Sequence, residues 1–485
     1  MKIKYIMITL LSLFISQILL SQNVSINGEN NAKFIHRTVT DSLKNYFENE
    51  LKLRLDYKYF AFGMTFKAEL PKYDQYQAIG ELNPNQVSYE WTDRYAQVNY
   101  DKLFLKAGTI EESFGAGIIL RSWNDTDLDR DKRLEGAQAK YQLDNYNVSA
   151  VYGVLKNDVQ DINIHKNDIV AGIDFEMRPL DILTFGASSV QYKQKDIITN
   201  NQYTHYNLYG SRVNLMTNYF ELYTEYTELR REHNLQDNFR GYALYSVNSI
   251  YFGDFTLSSG YKRYNRFSYA LSDLPTLNHY DELLSSYAVI DFEEGLLGEI
   301  RYIPNMDNQY LISYAESWNK NFTARHSNLF AEYKKNFNTY SLTLDFELLE
   351  KKQDDLSQWE KEIKPTVYLD FYNFKIPTLT KLSWSYLSEE HFNIEKQKHT
   401  PYLQLDLKLN KKFAVSVFSE YEFTGKDDFG KNSAWIGTEL VTSISDHSEI
   451  KLFLGKEKGG KVCRNGVCQF QAPFEGLRLS LNTRF

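Results

Sequence analysis
The chain has 485 residues and a formal charge of −8, from 63 acidic against 55 basic side chains, which excludes the basic surface that nucleic acid requires. With 37 Tyr and 31 Phe against 9 Pro and 24 Gly it is aromatic and strand-favouring. A mean hydropathy of −0.50, with no apolar run of about 18 residues beyond the leader, excludes a helical membrane protein. Strands that alternate lipid-facing apolar with lumen-facing polar side chains keep mean hydropathy low while crossing a bilayer, so the composition fits a transmembrane β-barrel.

In chain order, Lys2 and Lys4 precede an apolar stretch that turns polar at Ser21. Residues 1–21 are therefore expected to be a secretory signal peptide, and 22–485 a single barrel domain. From there a hairpin grammar repeats, with alternating segments joined by very short turns and successive hairpins by longer polar connections. Leu51, Leu53 and Leu55 alternate with Lys52, Arg54 and Asp56, and Phe220, Leu222 and Thr224 with Glu221, Tyr223 and Glu225. Leu344, Phe346 and Leu348 alternate with Asp345 and Glu347, and Leu405, Leu407 and Leu409 with Asp406 and Lys408. The pattern predicts Arg54, Asp56, Glu221, Glu225, Asp345, Glu347, Asp406 and Lys408 on the lumen face.

Tight turns are expected at 58–60, 100–102, 144–146, 178–181, 217–218, 253–254, 305–308, 335–337, 375–377, 410–411 and 445–447, and long connections at 71–85, 111–133, 193–203, 267–295, 352–361 and 455–474. This gives an all-β, antiparallel up-and-down transmembrane barrel of about 24 strands (22–26), each of about ten residues, with short periplasmic turns and long extracellular loops. A barrel this wide has an open polar lumen unless chain folds into it.

The segment 109–121 joins small and apolar residues and is the best candidate for folding inward. It runs on into Asp125, Asp127, Asp129 and Asp131, an incomplete calcium loop, because Arg130 stands where the turn glycine belongs and Glu135 comes one residue early. A solvated charged loop describes it better. The second long connection, from Leu274 to Glu294, reads as an extracellular loop with its own small packing cluster. Cys463 and Cys468 read as a local disulfide pinching a loop on the outer side, with no histidine near by to complete a metal set.

The last strand places Leu477, Leu479, Leu481 and Phe485 on one face and Arg478, Ser480, Asn482 and Arg484 on the other. It resembles the closing strand of Gram-negative outer-membrane barrels, which end in Phe or Trp and are recognised by the barrel-assembly machinery. It is expected to pair with residues 25–38 and close the wall. The chain as a whole resembles a family of large outer-membrane barrels defined only as a domain of unknown function. The resemblance is carried by Gly28-Glu29-Asn30, Glu69-Leu70-Pro71, Arg133-Leu134-Glu135-Gly136, Pro275-Thr276-Leu277, the Cys463 to Cys468 segment and Arg484-Phe485. It implies a fold and the cell outer membrane, in contact with its lipid, and no activity.

The nine His are scattered, and no nucleophile elbow, zinc helix or phosphate loop is present, so no enzyme and no cofactor is expected. The expected function is a pore or transporter for small polar solutes, its lumen partly occluded by folded-in loops. The alternative is a non-conducting scaffold that docks a surface or secretion partner. Solute, partner and oligomeric state are not legible in the sequence.

Overall fold
The computed structural model describes residues 24–38, 44–71, 88–125, 130–155, 168–195, 203–233, 238–267, 269–278, 291–353, 358–372, 375–391, 394–424, 432–464 and 467–485. The expected signal peptide lies outside them, as do Asp127 and Asp129. Among the described residues every regular element is a strand.

Twenty-four strands make one antiparallel sheet in which each pairs with the next wall strand, and the last, Phe474–Arg484, pairs with the first, Val24–Arg37. The sheet is a closed barrel, as the hairpin grammar predicts. Closure removes both sheet edges, so every strand finds a partner on each side. In the closing register Leu477, Leu479 and Leu481 face His36, Phe34 and Ala32. Phe485 exchanges backbone hydrogen bonds with Gly28, at 2.7 and 2.9 Å. A side chain at Gly28 would stand 2.4 Å from the Phe485 ring, so the bare glycine makes room for the terminal aromatic.

Expected turns appear at 58–59, 101–102 and 253–254, while those expected at 178–181 and 335–337 fall later, at 181–182 and 337–340. Lys58, Asp101 and Gly253 take positive φ there, as tight hairpin turns require. The strands are longer than the expected ten residues: Tyr203–Met216 and Phe220–His233 have 14 and Ile394–Lys408 has 15. Accordingly the connection expected at 352–361 shrinks, because the ladder continues to Gln353 opposite Gln358. Its lysines and glutamates look like loop by composition. They face one another across the ladder instead, Lys361 lying 2.8 Å from Glu350 and Lys351 3.8 Å from Glu360, and opposite charges across strands favour pairing.

The two faces of the wall differ. One carries exposed apolar and aromatic side chains, among them Tyr152, Ile173, Phe185, Tyr209 and Leu257. Phe255, Tyr302, Tyr310 and Tyr333 stack along it as a row across four strands. The opposite face carries Asp174, Ser188, Arg212, Glu225 and Lys262, and inserted chain segments cover it so completely that Ile110, Ile118, Ile119 and Leu120 have no exposed surface. A short segment is enclosed to that degree only inside the ring, so the polar face is the inner one.

Candidate functional site
The inner face is built by two inserts and by the wall residues that hold them. The first insert is the chain between Leu103–Ile110 and Leu134–Gln142. It turns back on itself, Glu112–Phe114 pairing with Leu120–Ser122. Phe114, Ile118, Ile119 and Leu120 pack into a core with Val151, Val170, Val190, Leu208 and Leu229 from five successive wall strands. Each fully buried Ile or Leu contributes about 1.5–3 kcal/mol, which is what draws the segment onto an otherwise polar wall.

Polar contacts fix its orientation. Glu112 accepts from Gln138 Nε2 at 2.6 Å and Ser149 Oγ at 2.7 Å and pairs with Lys140 at 2.9 Å. The Ala116 N–H donates to Glu225 at 2.7 Å, and the Tyr223 hydroxyl donates to the same carboxylate.

The connection at 267–295 departs from expectation. Phe267, Tyr269, Leu271 and Leu274 belong to the same core as the first insert rather than to an outward loop with its own cluster. Arg121 N–H donates to Leu271 O at 2.7 Å, Asp273 N–H to Gly117 O at 3.1 Å, and Tyr264 Oη to Pro275 O at 2.7 Å. Arg121 pairs with Asp273, and the Tyr269 hydroxyl donates to Ile119 O. The local sequence mixes apolar and acidic residues in a way that fits either outcome. Only the facing apolar surface of the first insert decides it. Residues 279–290 lie outside the described residues.

The cysteine segment also folds inward. Gly460–Arg464 and Val467–Gln471 form a hairpin with Cys463 opposite Cys468, and it folds back onto the inner wall. Gln404 Nε2 donates to Cys463 O at 2.9 Å. Arg464 is 5% exposed and lies between wall residues, with Nη2 2.8 Å from Glu457 and Nη1 3.9 Å from Glu439. Its guanidinium stands 4.1 Å from the Phe418 ring centre and 5.1 Å from that of Phe453. Arg478 meets the other Glu457 oxygen at 3.0 Å and Gln471 at 2.6 Å.

Two of the three lumen-entering inserts, the first and the cysteine hairpin, leave the wall in the same way. Gly108 faces Gly136 and Gly455 faces Gly476, each two residues before its wall strand ends and the insert departs. A side chain at Gly108 would stand 2.1 Å from Arg94 O, and one at Gly476 1.9 Å from His36 O. Glycine lets the strands bend sharply there and aim the departing chain inward. Paired glycines flanking a long insert are the sequence signal for this.

Of the residues expected on the lumen face, Glu225 holds the first insert. Asp406 accepts from Gln404 at 3.0 Å and from Ser416, and so supports the amide that holds the hairpin. Arg54 and Asp56 pair at 2.8 Å with half-exposed side chains. Glu221 faces Ser249, Asp345 faces Glu332 and Thr366, Glu347 faces Lys364, and Lys408 lies next to the turn at 409–412. These stay apart around the ring. In the aspartate run, both carboxylate oxygens of Asp131 receive Arg133, at 2.8 and 2.7 Å, and no metal-ligand group is found among the described residues.

A family model described as "Family of unknown function (DUF6029)" matches residues 1–316. No curated protein matches the chain. Among solved structures it is similar to the P pilus usher (PapC) translocation pore, with 9% identity, TM-score 0.47, and coverage of 95% of this chain and 99% of that one. It is also similar to the siderophore receptor PirA from Pseudomonas aeruginosa, with 8% identity, TM-score 0.47, and coverage of 95% and 80%. A third is OpdO from the same organism, with 15% identity, TM-score 0.40, and coverage of 83% and 98%.

Proposed function
The chain belongs to the family of unknown function DUF6029, and we propose that it is a pore or transporter for small polar solutes in a Gram-negative outer membrane, its lumen narrowed by folded-in chain. The observation that carries this reading is the unequal filling of the ring. One pair of inserts covers the inner face from Leu134–Gln142 to Phe255–Asn265 and the hairpin covers the face around Phe418 and Phe453. Along Asn45–Tyr57 the inner face is open toward the turn at 58–59, where Lys52 and Arg54 keep about half their side-chain surface exposed, while Tyr46 at the other end is buried in the cluster with Phe418 and Phe453. Charged side chains around an open passage favour hydrated solutes and bias which charge passes.

Membrane placement follows from the exposed apolar face and its stacked aromatic row, which suits an interfacial girdle. In this reading residues 1–21 direct export, the terminal Phe485 addresses the barrel-assembly machinery, the short turns face the periplasm, and Cys463 and Cys468 are disulfide-linked. Leu479→Arg, on the outer face, should cost about 2–4 kcal/mol if it lies near the bilayer midplane. It should sharply lower the membrane-assembled fraction seen as heat-modifiable mobility on gels, and assembly at the wild-type level would contradict this placement.

The function is tested in planar bilayers. Purified protein should show ohmic conductance steps, and replacing residues 112–122 by a short Gly-Ser linker should raise the unit conductance several-fold. Silence of both proteins across voltage and salt would overturn the pore and leave the scaffold.

A further inference from the structure
The pocket around Arg464 is made differently from the other contacts of the inserts. Its walls come from the barrel: Phe418, Glu439, Phe453 and Glu457 lie on three adjacent strands and hold their places through the sheet. Its occupant comes from the hairpin, which the chain reaches through Gly459 and Gly460, with φ of +89 and +95°, and leaves through Pro473. Two aromatic rings, stacked at 6.2 Å between centres, offer their faces to one guanidinium, and two carboxylates stand at its edge. That is the composition of a cation cage.

The fit of Arg464 is incomplete, since its Nε is buried without a hydrogen-bond partner. A buried idle donor is costly, and a guanidinium free of the hairpin's geometry can turn to use all its N–H groups. With Arg464 withdrawn, one oxygen of Glu457 loses its cation while Arg478 keeps the other. The cage would then keep Arg478 at 5.1 Å from the Phe453 ring centre, and would lack a cation over Phe418 and at that Glu457 oxygen.

We infer that the cage of Phe418, Phe453, Glu439 and Glu457 is a binding site for the guanidinium group of a cationic solute, with Arg464 as its tethered occupant. The solute displaces the hairpin and widens the passage. The widening rests on the pore reading, whereas the binding does not.

The probe is the guanidinium ion at concentrations well below denaturation, with urea as its uncharged isostere and sodium as the ionic-strength control. In the full-length Arg464→Ala protein, guanidinium should bind saturably and at least tenfold more tightly than in wild type. Adding Glu439→Gln should weaken that binding several-fold. In wild type, guanidinium but not urea or sodium should speed amide exchange across 460–464, a measurement that does not depend on the variant folding. If amide exchange responds equally to urea and guanidinium, or if folded Arg464→Ala binds guanidinium no better than wild type, the inference is overturned and Arg464 is a packing contact. Conductance that rises with guanidinium in wild type supports the widening. Binding in a protein that stays silent in bilayers would overturn the pore reading and leave the cage standing.

Discussion

Gly476→Ala should prevent the barrel from closing. Gly476 has a φ of +146°, where an L side chain is strained by about 1–3 kcal/mol, and its Cβ would lie 1.9 Å from His36 O on the first strand. That carbonyl belongs to the seam on which the whole ring depends, in the pairing of Val24–Arg37 with Phe474–Arg484. Relief requires the two strands to part, which exposes two unpaired edges at once. The expected result is loss of the heat-modifiable species and accumulation of unassembled chain. The control is Gly298→Ala, where nothing stands within 4 Å of the added carbon and assembly should be unchanged. Wild-type assembly of Gly476→Ala would show that the wall does not bend at this point.

Lys262→Met should be the most destabilising change at a single side chain of the inner face. Lys262 and Glu293 are both fully buried and pair with each other across adjacent strands. Gly260 and Tyr264 flank the lysine on the same face and lie against Leu277 and Pro275 of the second insert. Removing one member leaves a carboxylate in a dry site, which costs about 3–5 kcal/mol. Glu293→Gln in the same chain removes the stranded charge and should recover a large part of that loss. Urea unfolding of the protein in lipid vesicles reads both values. A loss under about 1 kcal/mol for Lys262→Met would mean that water reaches the pair and that the insert covers it poorly.

The two changes probe features with different legibility. The wall was readable because a strand between lipid and lumen must alternate along its length, so Leu403, Leu405 and Leu407 against Gln404, Asp406 and Lys408 already declare a strand and its two faces. Strand ends are less legible. Charged runs such as 350–353 and 358–361 carry the composition of loops, and the opposed charges of the neighbouring strand keep them in the ladder.

The residues of the site divide along the same line. Glu225 and Asp406 stood out as polar residues in alternating strands. Arg464, Glu439, Glu457, Phe418 and Phe453 did not, since they come from three strands and a hairpin and meet only when the chain is folded.

By itself the sequence determined the wall: strands, their alternating faces, the turns and a terminal strand suited to meeting the first. Those features depend on neighbours in the chain or on a single partner strand. Tertiary structure alone decided what fills the ring, because inward folding depends on surfaces far apart in sequence, such as Ile119 against Leu208 or Arg464 against Phe418. Segments 110–122 and 460–471 are as polar and glycine-rich as an outward loop, and 267–277 mixes apolar and polar residues without a glycine. The first two leave the wall beside bare glycines that bend it toward the lumen, and the described residues of all three meet an apolar or ionic partner there.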